Sequence, residues 1–317
     1  MSGEIGGYLE LETLSGSEYY PEAAGLNSAR NALLYILRAR QIKKICIPYF
    51  LCDAVSNMLD REGIAYSYYH VGTEFLPDPD FSPRSDITVY LVNYYGQLSN
   101  ERILELKSRF HSIIVDNVQA FYQAPAEEVD TVYSCRKYFG VPDGGYAVSS
   151  ARFPELLQEE SAMNRMGHLL GRFETEKASV YYPLYQESEA RYEDAPLRLM
   201  SRVAHNILRA IDYDRVRMCR EENYKVLAAS LDRINGMSFD LPIGPYAYPF
   251  YTENGPILRK RLAAEKIYIP LLWPNVLQCG NEVERRLAEN ILPLPCDQRY
   301  GREQMKRIIE SVMENLA

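Results

Sequence analysis

The sequence predicts an α/β protein with a largely parallel sheet covered by helices on both faces. Short, nearly continuous apolar runs rich in β-branched residues alternate with amphipathic segments. Strands of this kind are typical of parallel sheets buried on both faces. Polar and reactive residues follow several of these runs, at the carboxyl ends where open α/β sheets bind ligands. The fold class and a candidate site therefore come from the same pattern.

The first half of the chain carries most of the predicted strands. A first helix begins after Gly25-Leu26-Asn27-Ser28, where Asn27 or Ser28 can accept the free N–H groups of the first turn. Apolar residues then recur at helical spacing from Ala29 to Leu37. The predicted strands are residues 45–49, 65–71, 87–94, 112–115, 131–134 and 146–148, and the helices among them are residues 52–61 and 100–110.

After Ser150 the predicted pattern changes. Residues 155–170 are predicted as a helix, and residues 173–192 as an irregular, acidic, Tyr-rich segment. Residues 197–234 are mostly amphipathic and are predicted as a long connecting helix with an interruption near Asp212. The remaining predictions are strands at 246–250 and 267–269 and helices at 257–265, 282–290 and 302–315. We expect two domains, residues 1–195 and 196–317.

Composition excludes several classes of protein. The 317 residues have a net charge of −8 and a pI near 5.3, which argues against non-specific binding to nucleic acid or anionic membranes. The six cysteines lack the spacing of a zinc site or disulfide framework, as expected for reduced thiols in the cytoplasm. The start has no basic region before an apolar segment, and no apolar run reaches about 18 residues.

Two stretches of the sequence contain the candidate catalytic residues. Lys137 stands in Cys135-Arg136-Lys137-Tyr138-Phe139-Gly140, and Asp116 follows the apolar run 112–115 in Val115-Asp116-Asn117-Val118-Gln119-Ala120. Pyridoxal phosphate needs an amine that forms a Schiff base and an acid that faces its ring nitrogen. We therefore interpret Lys137 as the residue that carries this cofactor and Asp116 as the residue that keeps its ring an electron sink.

Each assignment has an alternative. Lys137 must be neutral to attack an aldehyde, and we expect burial and the neighbouring Arg136 to lower its pKa. The alternative for Lys137 is a solvated surface lysine, although the turn Pro142-Asp143-Gly144-Gly145 allows close approach to a ligand. The alternative for Asp116 is a capping or turn residue after a strand.

Further candidates surround these two residues. Gln119 can hydrogen-bond the phenolic oxygen of the ring, or else be an amide on a helix surface. Ser28 and Ala29 at the helix start and Ser134 near the lysine can hold the phosphate, although capped helix starts are common. Asn93 and Tyr49 follow strands at the same edge, and a residue of 93–97, Tyr49 or Phe50 can stack on the ring.

Other catalytic templates are missing from the sequence. It contains no GxSxG elbow, P-loop, HExxH motif or GxGxxG after a predicted strand. The histidines at positions 70, 111, 168 and 205 are scattered, and we predict no metal site.

With these motifs in view, the chain resembles the DegT/DnrJ/EryC1/StrS aminotransferases, which are fold-type-I pyridoxal phosphate enzymes. The segment Asn27–Leu33 looks like the family's phosphate-binding helix start, and Ile47-Pro48-Tyr49 with Cys52 looks like its first sheet strand and following turn. The segments at 93–97, 115–120 and 294–300 are similar to its Gly-Gln, acid-x-x-Gln and C-terminal motifs. Lys137 stands before Gly144-Gly145 at the family's lysine spacing.

The resemblance implies a large pyridoxal-phosphate-binding α/β domain, a smaller C-terminal α/β domain and a homodimer with sites at the subunit interface. It also implies transfer of an amino group from glutamate or glutamine to a keto-sugar nucleotide, through an internal aldimine on Lys137. Family members with His at the lysine position are dehydratases, and Lys137 argues against that branch. The chain is short for the family, and Ser134 lies unusually close to the lysine. Another pyridoxal phosphate reaction, of the lyase or aldolase type, and a cofactor-binding protein without turnover are the alternatives.

Overall fold

A seven-stranded sheet organises the protein. The computed structural model describes residues 5–175 and 177–316, and a second sheet of two strands lies in the C-terminal part. The large sheet has the strand order β1-β7-β6-β5-β4-β2-β3. Its strands are β1 (Ala24–Leu26), β2 (Lys44–Pro48), β3 (Ala65–Tyr69), β4 (Thr88–Val92), β5 (Ile113–Asp116), β6 (Asp130–Ser134) and β7 (Gly145–Val148), and the small sheet pairs β8 (Tyr248–Tyr251) with β9 (Ile291–Leu294).

The sheet is mostly parallel, as predicted. The strands from β3 through β2, β4 and β5 to β6 run parallel, β7 is antiparallel to β6, and β1 is antiparallel to β7. Every residue of the two central strands, β4 and β5, is buried. Burial of whole strands is what their continuous apolar sequence requires, and the predicted fold class is confirmed.

Helices flank the sheet, and side-chain caps explain where several begin. The Ser28 hydroxyl accepts the Asn31 N–H at 3.1 Å, and Asn281 forms a capping box with Glu284. The helices are α1 (Ala29–Ala39), α2 (Asp53–Arg61), α3 (Asn100–Phe110), α4 (Gly167–Thr175), α5 (Tyr182–Glu193), α6 (Arg202–Arg209), α7 (Tyr213–Leu231), α8 (Gly255–Ala264), α9 (Val276–Cys279), α10 (Glu282–Asn290) and α11 (Arg302–Leu316).

The predictions after Ser150 were partly wrong. Residues 155–166 are not helical, because the backbone of Gln158 and Glu160 bonds to Leu199. Residues 173–192, which were predicted to be irregular, instead contain most of α5. Residues 267–269 form no strand, and the strand that pairs with β8 is β9. The interruption near Asp212 is confirmed, since its carboxylate caps α7 by accepting the Arg215 N–H at 3.0 Å.

Separate apolar clusters lie under the two sheets. One surrounds the large sheet, and a second joins α7, α8, α11 and the small sheet through Leu227, Phe250, Leu262 and Met305. Residues after 195 also run beside β1, where Met200 N–H donates to Gly25 at 3.0 Å. The division between residues 195 and 196 stays a prediction. All six cysteines are free thiols, and none of the described helices has the length and apolar character needed to cross a membrane.

Candidate active site

Asp116 is the last residue of β5 and lies at the carboxyl end of the central strands. Its side chain is buried, with 3 % of the residue exposed. One carboxylate oxygen, Oδ2, accepts the Tyr90 hydroxyl at 2.8 Å, and the other, Oδ1, accepts the Val118 N–H at 2.9 Å. The carboxylate is thus held from two sides, and each oxygen keeps acceptor capacity for a further donor.

Lys137 lies in the loop that joins β6 to β7. The Cys135 N–H donates to the Gly144 carbonyl at 3.1 Å, which closes this loop on itself. The residue is half-buried, and its Nζ lies 5.5 Å from the centroid of the Tyr246 ring. Among the described residues the amine has no hydrogen-bond partner, which leaves it available to a ligand.

Lys137 and Asp116 act on each other electrostatically. Burial lowers the pKa of the Lys137 amine, and the nearby Asp116 and Cys52 partly oppose that effect. Burial raises the pKa of Asp116, opposed by the charge of Lys137, the Val118 N–H and the Tyr90 hydroxyl. No ion pair within 4.0 Å joins the two residues in the part of the chain that the structure describes. The amine and the carboxylate therefore lie near each other, beyond ion-pair distance.

The expected role of Arg136 needs correction. Its guanidinium pairs with Glu189 on α5 and lies over the Tyr192 ring, 4.0 Å from the centroid. The lowered pKa of Lys137 has burial as its cause, and Arg136 is not among the groups that shift it. Adjacency in sequence was misleading because consecutive residues of this loop point in different directions.

Gln119 offers an unused donor in the same region. The side chain is buried, with 1 % of the residue exposed, and its Oε1 accepts the Tyr95 N–H at 2.8 Å. That N–H is presented by a backbone with φ of 53° at Tyr95, an uncommon conformation for a non-glycine residue. The Gln119 Nε2 group is buried without a partner in the described residues. A buried amide with a free donor fits a ligand oxygen.

The three predicted phosphate contacts lie together. The Ala29 and Arg30 N–H groups at the start of α1 have no intrahelical partner. Gly145 on β7 is opposite Ser134 on β6, and a Cβ at Gly145 would lie 2.4 Å from the Ala29 nitrogen. Only glycine permits this approach. Ser28, Ala29 and Ser134 therefore meet at one helix start, which is a suitable place for a phosphate.

Two other predicted contacts, Asn93 and Tyr49, direct their side chains to partners within the chain, although the Asn93 N–H donates to the Asp116 carbonyl at 3.0 Å. Asn93 is fully buried, and its side chain bonds to the Leu98 backbone, Asn117 and Gln123 at 2.8 to 3.2 Å. The Tyr49 ring stacks on Tyr68 and His70, with centroid distances of 4.4 and 4.5 Å. These contacts direct the Tyr49 ring toward β3, and the roles of Asn93 and Tyr49 in cofactor binding stay predictions.

The sequence analysis missed Tyr90, Cys52 and Tyr246 as neighbours of the central pair. A tyrosine inside an apolar strand is a usable signal for Tyr90, because its buried hydroxyl needs a partner. Nothing local in the sequence points to Tyr246, which reaches Lys137 only through the folding of the C-terminal part.

Arg220 on α7 connects this C-terminal part to the lysine loop. Its guanidinium is buried and donates to the carbonyls of Tyr138 and Pro245 at 3.2 and 2.9 Å, and to Gln298 at 2.9 Å. The Tyr138 ring lies 4.4 Å from the guanidinium carbon. Within the described residues, no group of three His, Cys, Asp or Glu side chains could hold a metal ion.

No protein-family model and no curated protein matches the sequence. Solved structures do match. NtdA from Bacillus subtilis, with bound cofactor PMP, has a TM-score of 0.64 at 14% identity, over 93% of this chain and 73% of NtdA. Helicobacter pylori PseC, an aminotransferase of pseudoaminic acid biosynthesis, has a TM-score of 0.62 at 15% identity, over 92% and 86% of the chains.

A DegT DnrJ EryC1 StrS aminotransferase from Brucella abortus has a TM-score of 0.60 at 17% identity, over 92% of this chain and 85% of that one. The chain therefore has the fold of these aminotransferases along nearly its whole length. The resemblance in the sequence motifs is confirmed at the level of the fold. Because one fold supports many activities, the function has to be argued from the site.

Proposed function

We propose that the protein is a pyridoxal-phosphate-dependent aminotransferase whose cofactor is bound through the amine of Lys137. The observation that carries the proposal is that this free amine and the buried Asp116 carboxylate lie near enough to act on each other's charge without forming an ion pair, together with the unpaired buried Gln119 Nε2 group. The aminotransferase neighbours, one with bound PMP, support the same cofactor.

Each residue then has a defined task. Asp116 would hold the ring nitrogen and favour its protonated form, Gln119 would donate to the phenolic oxygen, and Ser28, Ala29 and Ser134 would hold the phosphate. The cofactor, when bound, supplies an electron sink that weakens the bonds at the substrate Cα. The Lys137 amine would hold the cofactor and, when free and neutral, would be the base that takes a proton from the substrate Cα. Its lowered pKa suits a base that has to work unprotonated.

The proposed substrates are glutamate or glutamine as the amino donor and a keto-sugar nucleotide as the acceptor. Arg30 and Arg61 donate to the Glu193 carbonyl at the end of α5, close to where Arg136 pairs with Glu189. This group of arginines lies beside the start of α1 and suits an acceptor that carries phosphates. A solved structure that this chain matches at a TM-score of 0.62 and 13% identity, over 93% of this chain and 87% of that one, is the sugar aminotransferase CalS13 from Micromonospora echinospora, which supports an acceptor of the sugar class.

The absorbance of pyridoxal phosphate mixed with the purified protein tests the proposal. We expect the protein to acquire the visible absorbance of the cofactor joined to an amine, and Lys137→Ala to lose it. The control Lys107→Ala removes a surface lysine that contacts the Glu128 carbonyl and should leave the absorbance intact. Glutamate should then convert the bound cofactor to its amine form. A wild-type protein that takes up no cofactor overturns the proposal, and bound cofactor that no amino donor converts overturns the transaminase assignment.

The proposal includes a cytosolic homodimer. Apolar side chains in residues 156–185 are strongly exposed, among them Leu156, Met163 and Phe173 at 101%, 87% and 85%. Exposed apolar surface of this kind marks an interaction site, and a second copy would bury it. Sedimentation of the purified protein should give the mass of a dimer, and a monomer at all concentrations would contradict this part of the proposal.

A further inference from the structure

We propose that Tyr90 is a positioning residue for this site, whose hydroxyl holds the Asp116 carboxylate in place and in its charged form opposite Lys137. This inference rests on the proposed function. Tyr90 lies on β4, the neighbour of β5, and its hydroxyl donates to Asp116 Oδ2 at 2.8 Å. Both residues are buried, so water does not readily replace the hydroxyl if it is removed.

A second tyrosine, Tyr69, bonds to the backbone of Tyr90 and not to Asp116. The pairing of β2 with β4 ends at Cys46 and Val89, which leaves the Tyr90 carbonyl without a strand partner on that side. The Tyr69 hydroxyl donates to this carbonyl at 2.8 Å instead. Pairing of β4 with β5 also holds this backbone, so the Tyr69 hydroxyl bonds the strand, whereas the Tyr90 hydroxyl bonds the carboxylate. Tyr69 therefore provides a buried hydroxyl in the same region that does not bond to Asp116.

The charges around Asp116 explain why the hydroxyl matters. Lys137 is the charged group that acts on Asp116, and the tyrosines that feel its charge are Tyr69, Tyr90 and Tyr94. Lys137 has to become neutral to attack an aldehyde, and its support for the carboxylate is then lost. The Val118 N–H and the Tyr90 hydroxyl remain as the donors that favour the charged form. Of these two, only Tyr90 belongs to a side chain.

Tyr90→Phe tests the inference, with Tyr69→Phe as the matched control, because both remove one buried hydroxyl from the same region. The first readout is the dissociation constant of pyridoxamine phosphate for the cofactor-free protein. We expect Tyr90→Phe to weaken binding about tenfold, the usual effect of losing a hydrogen bond to a charged group, and Tyr69→Phe to change it by less than about threefold.

The second readout is the pH midpoint for titration of the Asp116 carboxyl carbon, followed by carbon-13 NMR in the cofactor-free protein. The Tyr90 hydroxyl lowers the pKa of Asp116, so the pKa rises when this donor is removed. The midpoint should therefore rise in Tyr90→Phe and stay unchanged in Tyr69→Phe. A hydroxyl that only stabilises the fold would lower the melting temperature of the variant without moving this midpoint.

If Tyr90→Phe does not fold, difluorotyrosine at position 90 replaces it, because a more acidic phenol is a stronger donor to the carboxylate and should lower the midpoint. Equal affinities and equal midpoints for Tyr90→Phe and Tyr69→Phe would overturn the inference, as would an unmoved midpoint with difluorotyrosine. If the wild-type protein binds neither form of the cofactor, the proposed function fails, and the midpoint alone then decides the role of Tyr90.

Discussion

The carboxyl end of the sheet and the helical pair α4–α5 differ in how the fold holds them. At the sheet end, Asp116, Gln119 and Tyr90 are buried, and the side chains of all three are hydrogen-bonded to other parts of the chain. Helix α4 has no buried residue, and α5 buries only Ser188 and Tyr192. The side chains at the sheet end are held by contacts within the chain, whereas the helical pair α4–α5 exposes its apolar side chains on the surface.

The difference separates two tasks. Groups that orient a cofactor have to be placed accurately before it arrives, and a buried, bonded sheet end provides that accuracy. Exposed helices that carry apolar residues are suited to contact with another molecule. We therefore expect substitutions at the sheet end to change stability and cofactor binding, and substitutions on α4 to change assembly.

The largest expected effect is that of Arg220→Met. The substitution removes a buried guanidinium that donates to the Pro245 carbonyl and to Gln298, and it leaves the Tyr138 carbonyl with the Gln298 amide as its donor, so we expect the free energy of unfolding to fall by about 3–5 kcal/mol. Urea unfolding measures this change. The exposed Arg202 on α6 provides the control, because Arg202→Met should stay within about 0.5 kcal/mol of the wild type. Similar free energies of unfolding for Arg220→Met and Arg202→Met would contradict the distinction between buried, hydrogen-bonded side chains and exposed ones.

Asp116→Asn should have a smaller effect of opposite sign on stability. Burial raises the pKa of Asp116, so the folded protein binds this proton more readily than the unfolded chain does. The free energy of unfolding is therefore lower at pH values where the buried carboxyl has to be charged. The amide carries no charge, and we expect a gain of about 1 kcal/mol at pH 7. The gain should disappear as the pH falls below the ordinary carboxyl pKa of 3.8, where the group is protonated in both states.

The same variant should bind pyridoxamine phosphate more weakly than the wild type, because the amide cannot favour a protonated ring nitrogen as a carboxylate does. Unfolding curves at several pH values and a binding titration measure the two effects. Loss of stability together with unchanged binding would show that Asp116 serves the fold and not the site.

Phe173→Ser should have the smallest effect on stability. Its side chain is exposed, so the free energy of unfolding of the separated chains should change by less than about 0.5 kcal/mol. If α4 contacts a second copy, the same substitution weakens the dimer, and sedimentation should show more monomer at equal concentration. A large loss of stability in the monomer would show that Phe173 packs in the core, and it would contradict the contrast between the buried sheet end and the exposed helices α4 and α5.

Local signals predicted much of the fold. The bounds of α3 and α10 agree with the prediction, because apolar spacing and the capping residues Ser99 and Asn281 define them locally. Residues 155–166 could not be predicted, because their extended shape depends on pairing with Leu199, a distant residue. A tertiary contact of this kind overrides helical propensity and leaves no local trace.

The site was predictable in its residue types but not in its orientations. Position after a strand predicted that Asp116, Asn93 and Tyr49 lie at one edge of the sheet. Which way each side chain turns depends on neighbours from other strands, and Asn93 and Tyr49 turn to partners within the chain. The role of Tyr90 depends on the pairing of β4 with β5, which sequence alone does not specify.

The most direct test of the central claim identifies the amine that binds pyridoxal phosphate. The protein is mixed with the cofactor, the bond is reduced with borohydride, and the modified peptide is located by mass spectrometry. We predict that the mass of the reduced cofactor is found on Lys137 and that Asp116→Asn loses most of it at limiting cofactor. Modification of a different lysine, or of several surface lysines equally, would contradict the account.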